Sequence, residues 1–237
     1  MFGKNFLKEK LGQDSVIIGT SCVIPSSIIT EILGKAGMDY VILDMENGPV
    51  SYESAAWMIR SAVLNECSPI VRISKNYEDD ILKTLDIGAH GIIIPHIKTV
   101  EDAKQAVLFT RQAIHGKPGS TQDQIAEIFE KANEQAMIIL WIESSEGIQV
   151  LGDISRELSG HVDAIFISSN ANVADPISNL KKRVDLIKKY GIVPGVWVNQ
   201  VSEIQYYKEM GVKLIAFQDE SSIFYEQVKE ICKKARG

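Results

Sequence analysis

Several short apolar runs of this chain end in residues able to do chemistry. The groups are Asp44-Met45-Glu46-Asn47, Arg72, His96, Glu143, Ser168-Ser169-Asn170, Asn199 and Gln218-Asp219-Glu220. Carboxylates gathered with an arginine and a histidine suit an anionic oxo acid. The arginine grips a carboxylate through two parallel hydrogen bonds, and a carboxylate holds a divalent cation or moves a proton. Of the four histidines only His96 follows an apolar run, since His90 and His161 precede theirs and His115 lies in a polar stretch. His96 is therefore the candidate for proton transfer, with bracing of its loop as the structural alternative. Asp44 and Glu46, two residues apart, share a side if the strand continues through both; capping and salt bridging is their other reading. Arg72 either binds substrate or pairs internally with Asp44 or Glu46. Glu143, closing the apolar AMIILWIE, is costly to leave alone and calls for a metal, an arginine or a substrate.

The apolar runs that would place these groups are Val16–Gly19, Tyr40–Glu46, Pro69–Ser74, Gly91–Ile97, Met137–Glu143, Val162–Ser168, Gly195–Val198 and Leu214–Gln218. Nearly continuous Val, Ile and Leu, as in YVILDME and GIIIPHI, suits strands covered on both faces of a parallel sheet. Amphipathic segments alternate with them: Ser26–Ala36, Tyr52–Asn65, Glu78–Leu85, Val100–Ile114, Gly147–Leu158, Asn179–Tyr190, Glu203–Met210 and Ser222–Ala235. Eight such repeats predict a (β/α)8 TIM barrel occupying residues 1–237 as one domain, with an extra helix Phe6–Leu11 at the barrel floor. A doubly wound sheet is less suited, because GTSCVIPSS after the first run lacks a dinucleotide-binding glycine pattern. Ala113–Asp123 reads as a long polar connection and Gln124–Gln135 as an inserted helix. In a parallel barrel the strand ends listed above converge on one mouth.

Composition narrows the classes. With 25 Lys and Arg against 31 Asp and Glu the formal charge is −6, which argues against nucleic-acid or anionic-membrane binding. No apolar run approaches the length of a membrane span, and MFGKNFLKEKLGQD lacks the features of a signal peptide. Cys22, Cys67 and Cys232 form no CxxC pair and read as small hydrophobes in a reducing, cytoplasmic setting. The tryptophans read as core or interface rather than as a stacking platform for nucleotides. Neither a P-loop nor GxGxxG occurs, which disfavours nucleotides and phosphorylated substrates.

KNFLKEKL, AGMDYVILDMENGP, IVRIS, LKTLDIGAHGIIIPHIKTVEDAKQAV, IES-EGI and VDAIFIS, in that order along nearly the whole chain, resemble the HpcH/HpaI aldolase family of the phosphoenolpyruvate/pyruvate barrels. The resemblance implies class II aldol chemistry, in which a divalent metal (Mg, Mn or Co) and an arginine hold pyruvate while its enolate adds to an aldehyde. No other cofactor is implied. It also implies homo-oligomers, dimer to hexamer, whose last helix is exchanged between subunits. By position, Arg72 would grip the pyruvate oxygens, Glu143 would bind metal, Asp44 would hold metal-bound water, and Asp86 would partner the family's catalytic histidine. Substrate contacts would also come from Asn47, Ser168 and Ser169.

Two positions depart from that pattern. Asn47 stands where the family's DxEHGP motif has its acid/base histidine, and Ala171 falls where a second metal-binding aspartate belongs. The loop stretch Thr110-Arg111-Gln112-Ala113 also replaces the usual Tyr-Pro-Pro-x-Gly-x-Arg-Gly. Three readings fit: an aldolase-type lyase using Arg72 and His96 with a weak metal; a metal-independent, citrate-synthase-like Claisen enzyme, with Lys75 and Arg111 as candidates for an acyl-CoA site; or a paralogue that binds without turnover.

Overall fold

The computed structural model describes residues 4–13, 15–115, 135–167 and 177–237. Its eight strands are all parallel and close into a barrel in chain order: β1 (Ile17–Cys22), β2 (Tyr40–Asp44), β3 (Ser68–Arg72), β4 (Gly91–Ile94), β5 (Met137–Ile142), β6 (Ala164–Ile167), β7 (Val193–Val198) and β8 (Leu214–Asp219). The helices are α1 (Phe6–Leu11), α2 (Ser27–Lys35), α3 (Tyr52–Leu64), α4 (Glu78–Asp86), α5 (Val100–His115), α6 (Ser145–Gln149), α7 (Leu151–Glu157), α8 (Ile177–Lys189), α9 (Val201–Glu209) and α10 (Glu220–Arg236). The expected (β/α)8 barrel is what forms. The segment expected as one helix over Gly147–Leu158 divides in two, because Val150 leaves helical geometry at φ −101°, ψ 8°. Most of the expected helix Gln124–Gln135 lies outside the described residues.

Alternation along each strand produces two concentric cores. Tyr40, Ile42, Ile70, Ile93, Met137, Ile139, Trp141, Ala164 and Phe166 face the axis and pack together. Val41, Leu43, Val71, Ile92, Ile138 and Ile165 face outward into the layer beneath the helices. The interior pairs large with small: a Cβ on Gly19 would lie 2.6 Å from the Tyr40 ring, and one on Gly195 would lie 2.9 Å from Phe166. Glycine is required there for the rings to fill the bore.

The extra N-terminal helix closes the floor as its apolar pattern predicts. Leu7 is fully buried among the interior residues, a burial that contributes about 2 kcal/mol. Its backbone N–H donates to Ser68 Oγ at 2.8 Å, and Asn5 Nδ2 donates to the His90 and Gln135 carbonyls at 2.7 and 2.8 Å. His90 and His161 do sit at this end, in a turn before β4 and β6 respectively.

Candidate active site

The same alternation delivers the polar residues to the mouth. Asp44 continues the inward series Tyr40, Ile42 on β2, and Arg72 continues Ile70 on β3; the two are register partners across the ladder. Arg72 Nε donates to Asp44 Oδ1 at 3.0 Å and Nη2 donates to Asp44 Oδ2. Both side chains are almost wholly buried. Removing two charges from water is expensive, and this two-point clamp is what offsets the cost. The internal pairing of Arg72, one of the two roles open to it from sequence, is therefore present. Among the described residues no hydrogen bond from Nη1 is seen.

β2 ends at Asp44, so Asp44 and Glu46 do not share a strand face. Instead Asp44 Oδ1 accepts the N–H groups of Glu46 and Asn47, both at 3.0 Å, and turns the chain back over the mouth. That turn brings Glu46 Oε2 to 3.3 Å from Arg72 Nε and Glu46 Oε1 to 2.7 Å from His96 Nε2. Asn47 stays on the exposed rim, its Nδ2 3.5 Å from Asp44 Oδ2.

His96 follows Pro95 past the end of β4 with φ +59°. This left-handed backbone costs a non-glycine residue about 1 kcal/mol and is found at sites where side-chain direction matters. It holds the imidazole between two carboxylates: Nδ1 lies 2.8 Å from Glu143 Oε1, opposite the Glu46 contact. Glu143, one step beyond β5, is partnered by His96, not by the metal, arginine or substrate that its position called for. Ionised carboxylates only accept, so two N···O contacts of this length need two hydrogens shared among the three groups. Burial pushes the Glu46 carboxyl above the ordinary glutamate range; Arg72 and His96 draw it back, and Glu143 and Asp44 add to the rise.

One oxygen or nitrogen from each of Glu46, His96 and Glu143 lies within 4.8 Å of the others, a donor set suited to a divalent cation. The expected metal role of Asp44 finds no such geometry: its oxygens are spent on Arg72 and on two backbone N–H groups. Asp86 is also not brought to the mouth. It ends α4 on the far side of the barrel, lining a hollow with Arg60 and His90, and the carboxylates beside His96 are Glu46 and Glu143. Ser168, Ser169 and Ala171 lie outside the described residues.

On the β7–β8 side the polar groups serve the scaffold. Glu203 accepts the Asn199 and Gln200 N–H groups, Asp219 caps α10, and the buried Glu220 accepts the N–H groups of Val23 and Ile24. Lys75 lines a hollow of about 270 Å³ beside His96. Arg111 lies at the floor with Lys8, Ala136 and His161. Sequence reasoning missed Trp141: its ring, 5.0 Å from the Arg72 guanidinium carbon, underlies the site. The signal was its place near the end of β5, two residues before Glu143.

Comparison with known proteins agrees with this architecture. A 5-keto-4-deoxy-D-glucarate aldolase of Escherichia coli O157:H7 is 25% identical over 96% of this chain and 95% of its own. The solved HpcH/HpaI aldolase of Desulfitobacterium hafniense superposes with a TM-score of 0.85 at 21% identity, covering 98% of this chain and 97% of its own. The citrate synthase SbnG superposes at 0.84 with 24% identity, covering 98% of each chain. The sequence model of the HpcH/HpaI aldolase/citrate lyase family matches residues 24–181, so the chain belongs to that aldolase and lyase family.

Proposed function

We propose that the protein is a carbon–carbon lyase of the aldolase type that activates a small 2-oxo acid such as pyruvate as its enolate. The observation carrying this reading is the chain Arg72–Glu46–His96–Glu143 at the barrel mouth: a buried cation joined through one carboxylate to an imidazole that a second carboxylate also holds. Arg72, immobilised by Asp44, offers Nη1 to the substrate carboxylate and to the oxygen that gains charge on enolisation. His96 takes the proton from the carbon beside the keto group and returns it, with Glu46 and Glu143 setting its direction. Asn47 on the rim, with Ser168 and Ser169, contributes substrate contacts.

Glu46, His96 and Glu143 are also the residues that would hold a divalent cation. When bound it would supply positive charge for the enolate oxygen and would occupy an imidazole nitrogen, so the proton-moving role of His96 belongs to the metal-free site. The Claisen reading has less support, because of its two basic candidates Arg111 is at the floor. A homo-oligomer is part of the proposal, resting on the apolar face of α10.

Pyruvate methyl exchange in heavy water, followed by NMR, tests the reading without choosing an aldehyde. Metal-stripped protein is compared with protein given magnesium, manganese or cobalt. We expect exchange that falls at least tenfold in Arg72→Ala and in His96→Asn. Absence of exchange in every condition overturns the pyruvate reading, and undiminished exchange in His96→Asn overturns the role of His96.

A further inference from the structure

Trp141 ends the inward-facing series of β5, two residues before Glu143, which follows the strand, and this places an indole below the site. Trp141 is 7% exposed, lies face to face with Phe166 (centroids 5.2 Å apart, planes 5° apart) and meets Trp197 edge-on at 5.9 Å. Its remaining contact of note is Arg72, whose guanidinium carbon is 5.0 Å from the ring centroid. The indole N–H has no hydrogen-bond partner among the described residues. A buried donor without a partner is unfavourable, and phenylalanine would avoid it. What an indole gives here is its face, the best of the aromatic faces for a cation.

Asp44 clamps Arg72 within the guanidinium plane, through the Nε–Nη2 edge. An in-plane clamp does not prevent the group from tilting out of that plane, whereas an aromatic face set against the cation, here with the guanidinium carbon 5.0 Å from its centroid, restricts that motion. We propose that Trp141 is a positioning residue: its ring fixes the plane of the Arg72 guanidinium so that Nη1 is presented to an anionic 2-oxo acid. The proposal rests on the reading of Arg72 as the substrate-gripping group.

The test uses oxalate, a planar dicarboxylate resembling an enolised 2-oxo acid, bound to the full chain and measured by calorimetry. The Arg72 Nε–H signal is followed in parallel by ¹⁵N NMR and assigned by its loss in Arg72→Lys. Trp141→Leu is expected to weaken oxalate about tenfold and to speed solvent exchange of that Nε–H; Trp141→Phe, which keeps a ring, recovers most of both. Added to Arg72→Lys, Trp141→Leu should weaken oxalate no further, since its effect passes through the guanidinium.

Oxalate affinity and Nε–H protection unchanged in folded Trp141→Leu overturn the proposal, as do additive effects in the double variant. A loss in Trp141→Phe as large as in Trp141→Leu assigns the role to the N–H and also overturns it. Should Trp141→Leu not fold, fluorinated tryptophan in a Trp57→Phe, Trp197→Phe background keeps the ring shape and weakens its face. Affinity falling with added fluorine supports the platform, and constant affinity removes it. Oxalate binding indifferent to Arg72→Lys defeats the substrate reading of Arg72 instead; the Nε–H exchange then still decides whether Trp141 holds the guanidinium.

Discussion

Glu46 joins Arg72 to His96: one carboxylate oxygen lies 3.3 Å from the arginine Nε and the other 2.7 Å from the imidazole Nε2. A single side chain thus ties the anion-binding group to the proton-moving group, and neither can turn without the other feeling it. Asp44 makes this possible by folding the backbone of residues 46 and 47 over its own carboxylate.

Glu46→Gln should therefore damage exchange more than its charge alone suggests. An amide offers one acceptor and one donor group, so it cannot accept from both Arg72 and His96 through its two ends. A fall of about 10²-fold in pyruvate exchange is expected. Burial raises the Glu46 carboxyl, so acidification should protonate it, and loosen both contacts, at a higher pH than for an ordinary glutamate. The acidic limb of the pH–rate profile reads this directly: it should change shape in Glu46→Gln, and an identical limb would remove Glu46 from the mechanism.

Asp44→Asn is expected to be costly for stability as well as activity. It leaves the guanidinium of a buried arginine without its main counter-charge, which typically costs about 3–5 kcal/mol. The remaining contact from Glu46 places the expectation near the lower end. Urea unfolding measures it; a loss below about 1 kcal/mol would mean the pair is held more weakly than its burial implies.

Strand alternation explains how much of this site could be read in advance. Asp44, Arg72 and Glu143 follow inward-facing apolar residues, and a parallel barrel sends such residues to one mouth. His96 was marked by being the histidine that follows rather than precedes its strand. The Glu46 bridge was hidden because β2 stops at Asp44 and the next two residues form a turn, which a period of two cannot foresee. Trp141 was hidden because a core tryptophan and an arginine platform share one hydrophobic pattern. Asp86 was placed by resemblance alone, and the end of α4 puts it at the floor.

His90 should make folding stability fall on mild acidification. Burial lowers its pKa to about 4, below the ~6.5 of an unfolded histidine. Between those values the unfolded chain takes up a proton that the folded chain refuses, so the stability present above pH ~6.5 is lost as pH falls toward ~4. The full loss is about 3 kcal/mol. Ser68 Oγ, 3.3 Å from His90 Nδ1, also receives the Leu7 N–H, so the loss should begin where α1 meets the floor. Urea unfolding at pH 7 and pH 4.5 should differ by less in His90→Gln than in the parent chain.

The C-terminal helix α10 presents Phe224, Val228 and Ile231 on one face, 70%, 40% and 64% exposed. Spacing of four and three residues makes them a continuous stripe, and a stripe of this kind marks an interaction surface. A second copy is the expected occupant. Phe224→Asp with Ile231→Asp should convert an oligomer into monomers in light scattering, whereas a parent chain that is monomeric at micromolar concentration refutes the assignment.

Cation binding should carry a proton signature set by the apo geometry. The two contacts of His96 with Glu46 and Glu143 need two hydrogens, and a cation taking a donor atom from each of the three groups must displace at least one of them. Calorimetry of manganese binding in buffers of different ionisation heat counts the protons released. We expect proton release on binding, and an affinity lowered about tenfold or more by Glu143→Gln or Glu46→Gln. Asp44→Asn, if folded, should lower it far less, because Asp44 is committed to Arg72. The opposite ranking, with Asp44 dominant and His96→Asn without effect, would move the cation from the His96 cluster to the arginine side of the mouth.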